Sequence, residues 1–229
     1  MGRLILNGNP PVEVLLRRSA QAKRLSLRIS QLDGRATLTL PKRVSEREGM
    51  AFLREREDWL RGHLDRIGPE EQVALGGTVL FRGENLPLKA GDVKRARLVD
   101  GVLVLPDAPA MVGKRVAAFL KLQARDALAE ASDRYSAALG RPYGRISLRD
   151  TRSRWGSCSS AGDLMYSWRL VMAPPAVLNY VAAHEVAHLQ HMDHSERFWA
   201  AVDRLFPDHK ACRRWLRTHG NALHRVRFD

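Results

Sequence analysis

His184-Glu185-Val186-Ala187-His188, with His194 six residues beyond, constrains this chain more than any other stretch. Two histidines four apart on an α-helix project from one face, one turn apart, so both imidazoles can converge on a single ion. The approach has the same character: Val177, Leu178, Val181 and Ala182 recur with helical spacing, and Pro174-Pro175 stops what precedes and opens the helix. The sequence therefore predicts a helix carrying neutral imidazoles for a divalent cation, with zinc the expected ion. Glu185, next to the first histidine, is the expected general base, taking a proton from zinc-bound water and passing it to the leaving group.

A third ligand is needed, and two histidines stand nearby. If the helix runs on, His191 shares the face of His188 but sits about 4.5 Å further along the axis, at 1.5 Å per residue, beyond an ion held by the first pair. His194 requires the chain to turn back, and Met192-Asp193 ahead of the cap-like Ser195 gives it room to do so. His194 is the expected ligand and His191 a pocket-wall or supporting residue. Asp203, Asp208 and His209 are the fallback ligands, though each reads more simply as a solvated or capping residue.

The 229-residue chain, 45% apolar, can bury a full core, as one sizeable domain or two small ones. Its net charge of +13 favours phosphate-rich or acidic surroundings, with a merely soluble basic surface as the plainer reading. Cys158 and Cys212 are too few for a disulfide framework, and no secretory leader is evident, so a cytoplasmic location is expected. No apolar run approaches 18 residues, so no spanning helix is expected. The sequence leaves the oligomeric state open.

Short strands are predicted at 12–16, 25–29 and 36–40, followed by a helix capped by Ser45 and Glu48 with Ala51, Leu53, Trp59, Leu60, Leu64 and Ile67 on its apolar face. Gly76-Gly77 and Asp100-Gly101 read as tight hairpins. Pro106, Pro109 and Gly113 punctuate the chain, placing a boundary near 107: a β-rich region over 1–107 with one helix, and a second domain over 108–229. That second part reads as a helix over 114–139, a strand at 145–150, a polar turn at 154–158, a strand at 164–171, the histidine helix, and helices near 196–206 and 209–224. The fold class is α+β.

Arg154-Trp155-Gly156-Ser157-Cys158-Ser159, Trp168-Arg169-Leu170, Ala173-Pro174, Tyr180-Val181, the HExxH pentapeptide, and His194-Ser195 with Phe198-Trp199 together resemble the YgjP-like metallopeptidase family, related to the SprT/Spartan and WLM zinc peptidases. Lys23-Arg24-Leu25-Ser26-Leu27-Arg28 extends the likeness toward the N-terminus. The resemblance implies a minimal zincin fold with His184, His188 and His194 as ligands and Glu185 as base. It also implies that the strand at 164–171 is the platform for an extended peptide. The histidine spacing is also that of metzincins, but His191 stands where they carry glycine, and no methionine follows Met192 to make their Met-turn.

The expected activity is zinc-dependent peptide hydrolysis on a polypeptide substrate. The alternatives are hydrolysis of a phosphorylated small molecule such as a nucleoside triphosphate, and a DNA-associated protease recruited through the basic surface. No phosphate-cradling glycine loop supports the former, and no zinc finger or helix-turn-helix pattern supports sequence-specific DNA binding. Tyr166, Tyr180 and Arg154 are candidates for stabilising a developing oxyanion. Trp155, Trp168 and Trp199 are expected to pack, and Cys158 to be a small buried residue rather than an inhibitory metal thiolate.

Overall fold

The computed structural model describes residues 2–30, 34–67 and 70–229, and contacts divide the chain into two units, Met1–Pro69 and Glu70–Asp229. In the first unit β1 (Gly2–Leu6), β2 (Val12–Ser19), β3 (Ser26–Ile29) and β4 (Ala36–Pro41) form a sheet ordered β1-β2-β4-β3, parallel only between β2 and β4. Alternation decides its faces: Val14, Leu16, Leu38 and Leu40 are buried, with Leu53 and Leu60 of the helices in the same core. The expected single helix is two, α1 (Glu46–Glu55) and α2 (Glu57–Ile67), broken at Arg56. Ser45 and Glu48 close the predicted capping box; the side chain of Ile67 lies outside the described residues.

The second unit begins with β5 (Glu71–Gln72), β6 (Thr78–Phe81), β7 (Glu84–Ala90), β8 (Arg97–Val99) and β9 (Val102–Leu105). The last four form a sheet ordered β6-β7-β9-β8. Asp100-Gly101 makes the expected hairpin, both residues at positive φ. Gly76-Gly77 does not: its backbone pairs with Leu88 of β7, and the hairpin turn falls at Arg82-Gly83, also at positive φ. The boundary expected near 107 is likewise displaced to 69/70. Val79, Phe81, Leu86, Leu88, Leu103 and Leu105 share one core with the helices that follow, so β6–β9 belong to the second unit.

α3 (Val112–Leu139) carries Val116, Leu120, Ala124, Leu128, Ala131 and Tyr135 on one buried stripe and ends at left-handed Gly140. Next come β10 (Ile146–Arg149), β11 (Gly156–Cys158) and β12 (Leu164–Ser167), in a sheet ordered β10-β12-β11. The strand expected over 164–171 stops at Ser167. Trp168–Met172 is a 3-10 turn, all five residues buried, whose carbonyls at Val171 and Met172 accept from the Arg82-Gly83 turn. α4 (Pro175–Ala187), α5 (Glu196–Leu205), α6 (His209–Arg225) and β13 (Val226–Arg227), paired with β5, complete an α+β fold. Buried Arg169 holds the end of this unit together, donating to Asp150 and to the carbonyls of Leu223 and Val226. Among the described residues no helix is long and apolar enough to cross a membrane.

Candidate active site

α4 is apolar on nearly all sides and lies deep in the core, so the polar residues it carries are held rigidly. Val177, Val181 and Val186 are among its buried side chains, and it packs on α3 and α6. The helix ends at Ala187, but the amides of Leu189, Gln190 and His191 still bond back to Val186 and Ala187. At Met192-Asp193 the chain bends, and Asp193 accepts from the Ser195 hydroxyl at 2.8 Å just before α5 begins. The reversal returns His194 to the helix face: its Nε2 lies 3.3 Å from Nε2 of His184. One ring nitrogen from each of His184, His188 and His194 lies within 4.8 Å of the others.

Those residues fit a metal ion. Tetrahedral zinc with bonds of 2.0–2.1 Å separates its ligand atoms by about 3.3–3.4 Å, the spacing found between the two Nε2 atoms. A cation site also needs neutral imidazoles, and burial, followed by the charges of His188 and His194, pushes His184 down to about 3. Burial lowers His188 as well. Nδ1 of His188 lies 3.0 Å from the His191 carbonyl, a contact that places the proton on Nδ1 and leaves Nε2 as the binding atom. His191 thus touches the site through its backbone, while its own ring is not in the cluster. Phe198, fully buried on α5, lies 4.4 to 4.9 Å in centroid distance from all three imidazoles. Its position four residues after His194, on a helix start, was the available sequence signal.

Glu185 is 6% exposed and sits against Gly156 of β11, where a Cβ would lie 2.6 Å from its Cγ and Oε1. Burial pushes its carboxyl up to about 8, and the Arg154 guanidinium draws it back down. Arg154 and Cys158 line the cavity over the histidines, about 430 Å³ in volume, along with Glu185. The Cys158 thiol, pushed up to about 11 by burial and then by Glu185, donates to the Ser159 carbonyl.

Tyr166 is not at the site: it is fully buried, its hydroxyl is 3.0 Å from Ser132 Oγ, and its expected role at an oxyanion does not fit. Tyr180 is an intermediate case, buried and edge-on to the His184 ring, its phenol pushed up to about 12 by burial. Of the fallback ligands, buried His209 lies 3.4 Å from Asp203 and stacks on Trp199, Asp203 and Asp208 are exposed, and none of the three belongs to the three-histidine cluster. Trp168 packs as expected, although its buried ring N–H has no partner among the described residues. β12, the expected peptide platform, lies between β10 and β11 with both edges paired; the strand with a free edge beside α4 is β11.

This arrangement defines a hydrolase-type centre: three imidazoles for a cation and a buried carboxylate beside it. The YgjP-like metallopeptidase domain model matches residues 23–219, most of the chain, and the chain belongs to that family of metal-dependent hydrolases. No curated protein matches it. Among solved structures, the metallopeptidase zymogen of Pyrococcus abyssi abylysin is similar over 41% of this chain and 92% of that chain, at 23% identity and a TM-score of 0.34.

Proposed function

We propose that the chain is a zinc-dependent peptidase in which His184, His188 and His194 hold the ion and Glu185 is the general base. The observation that carries this reading is the convergence of three imidazoles beside one buried carboxyl group. When bound there, zinc supplies a Lewis acid that polarises a carbonyl and eases ionisation of water. Glu185 accepts the proton of the attacking water and returns it to the departing amine. Arg154, on the cavity wall, offsets negative charge as it develops on the carbonyl oxygen. The free edge of β11 binds an extended substrate by backbone pairing, and Gly156 lets that strand approach the base.

Glu185→Gln tests the assignment. The variant is expected to retain zinc by metal analysis and to lose peptide hydrolysis by about three or more orders of magnitude in kcat. Retained turnover removes Glu185 from its role as base. Wild-type protein that hydrolyses nucleoside triphosphates and no peptide overturns the peptidase reading.

A further inference from the structure

The cavity over the histidines does not end there. It shares Ser153, Arg154, Ser157 and Cys158 with a larger groove of about 700 Å³ along the β10-β12-β11 sheet. Strand alternation fixes what faces it. Ile146 and Leu148 pack against the core, so Ser147 and Arg149 project from the opposite face, and the register carries that row through Met165 to Ser157. The groove is lined mainly by hydroxyls and arginines.

Its charges are not balanced. Asp163, a carboxylate in the lining, is engaged by Arg145, whose Nε lies 3.0 Å away and whose backbone N–H donates to it as well. Nearby Asp150 is occupied by Arg169. Arg149 and Arg154 form no ion pair among the described residues, and Arg154 is fixed only through its carbonyl, which accepts from Thr151 Oγ1 at 2.9 Å. Arg149, with no carboxylate partner among the described residues, and Arg154, which also faces Glu185, thus flank a path that runs to the metal cavity. Guanidinium forks pair in bidentate fashion with carboxylates and repel ammonium and guanidinium groups.

Resting on the peptidase reading of the adjoining centre, we infer that this groove receives an acidic segment of the polypeptide substrate and that Arg149 is a specificity-determining residue. A peptide is favoured over a nucleic acid because the groove joins a cavity bordered by the free edge of β11, where main-chain pairing continues a bound strand. The uncharged part of the lining, Ser147, Ser153, Ser157 and Met165, accepts a peptide without imposing further sequence.

The test uses the full chain loaded with zinc and three fluorescent decapeptides that differ only in carrying Glu, Gln or Lys at the same positions. Binding is read by anisotropy on the Glu185→Gln protein and cleavage on the wild type. The Glu peptide is expected to bind about tenfold more tightly than the Lys peptide, in line with two exposed ion pairs, and the difference is expected to shrink in high salt. Arg149→Gln should reduce the Glu-over-Gln ratio in both binding and kcat/KM, and Arg149→Lys should keep most of it. Equal binding of all three peptides, or an unchanged ratio in Arg149→Gln, overturns the inference. So does displacement of the Glu peptide by a DNA oligonucleotide or a nucleoside triphosphate at lower concentration than by unlabelled Glu peptide. If the Glu peptide binds selectively and no peptide is cleaved, the groove assignment stands and the peptidase reading falls.

Discussion

A methyl group on Gly156 has nowhere to go but into Glu185. The built Cβ lies 2.6 Å from Oε1, 2.6 Å from Cγ and 2.8 Å from Cδ, and the carboxylate is too buried to move aside freely. The glycine is therefore required by close approach rather than by an unusual backbone angle. Gly156→Ala is expected to lower kcat by about 10- to 100-fold, the scale of an ångström-sized misplacement of a reacting group, while zinc content stays at the wild-type level. Steady-state kinetics with metal analysis checks it; unchanged kcat means that Glu185 has slack the packing does not reveal. The pentapeptide identified Glu185 by its place in the sequence, but Gly156 lies 29 residues earlier and nothing local ties it to the base. That pairing exists only once β11 is laid against α4.

Among the elements, α5 contributes more to the centre than its distance from the HExxH run suggests. Phe198 is fully buried under the three imidazoles, so removing its ring leaves a cavity against each of them. Phe198→Ala is expected to cost about 3–5 kcal/mol of stability by chemical denaturation. It should also weaken zinc binding by about 10- to 100-fold, the range seen when groups supporting metal ligands are lost. Unaltered zinc affinity would show that the histidines hold their geometry without α5. Other elements illustrate why periodicity reads type better than extent. Leu164, Tyr166, Trp168 and Leu170 are all buried, as alternation requires, yet the last two sit on a 3-10 turn. Apolar residues at four alternate positions are compatible with a strand and with a strand that runs into a buried helical turn alike. The missed hairpin has a similar cause: Arg82 adopts φ of 54° next to Gly83, and an arginine there gives less warning than Gly76-Gly77.

For the molecule as a whole, two cores with no shared member stabilise the two units, and the site belongs entirely to Glu70–Asp229. His224 near the end of α6 links that unit's stability to pH. Its ring lies tilted against that of Trp155, with centroids 4.9 Å apart, and its pKa is pushed down to about 4 by burial, then by Arg169 and Arg152, with Asp150 pulling the other way. The unfolded chain, with histidine near 6.5, binds the proton more readily than the folded one between those values. This contribution to stability is therefore fully present above about pH 6.5 and is lost as pH falls toward about 4. Thermal unfolding across that range should decline less steeply for His224→Gln than for the wild type. Parallel curves would dissociate His224 from the acid response.

What the sequence determined by itself is local: a helix presenting His184 and His188 on one face, a capping box at Ser45, a turn at Asp100-Gly101, and a place after Met192 where the chain could reverse. Each follows from forces acting within a few residues, so spacing and residue type suffice. Only the tertiary structure decided which strand keeps a free edge, which glycine meets the base, that the His191 carbonyl and not its ring supports His188, and that β6–β9 belong with the helices after them. Those are contacts between segments far apart in the chain, set by which apolar faces bury one another, and no local pattern encodes them.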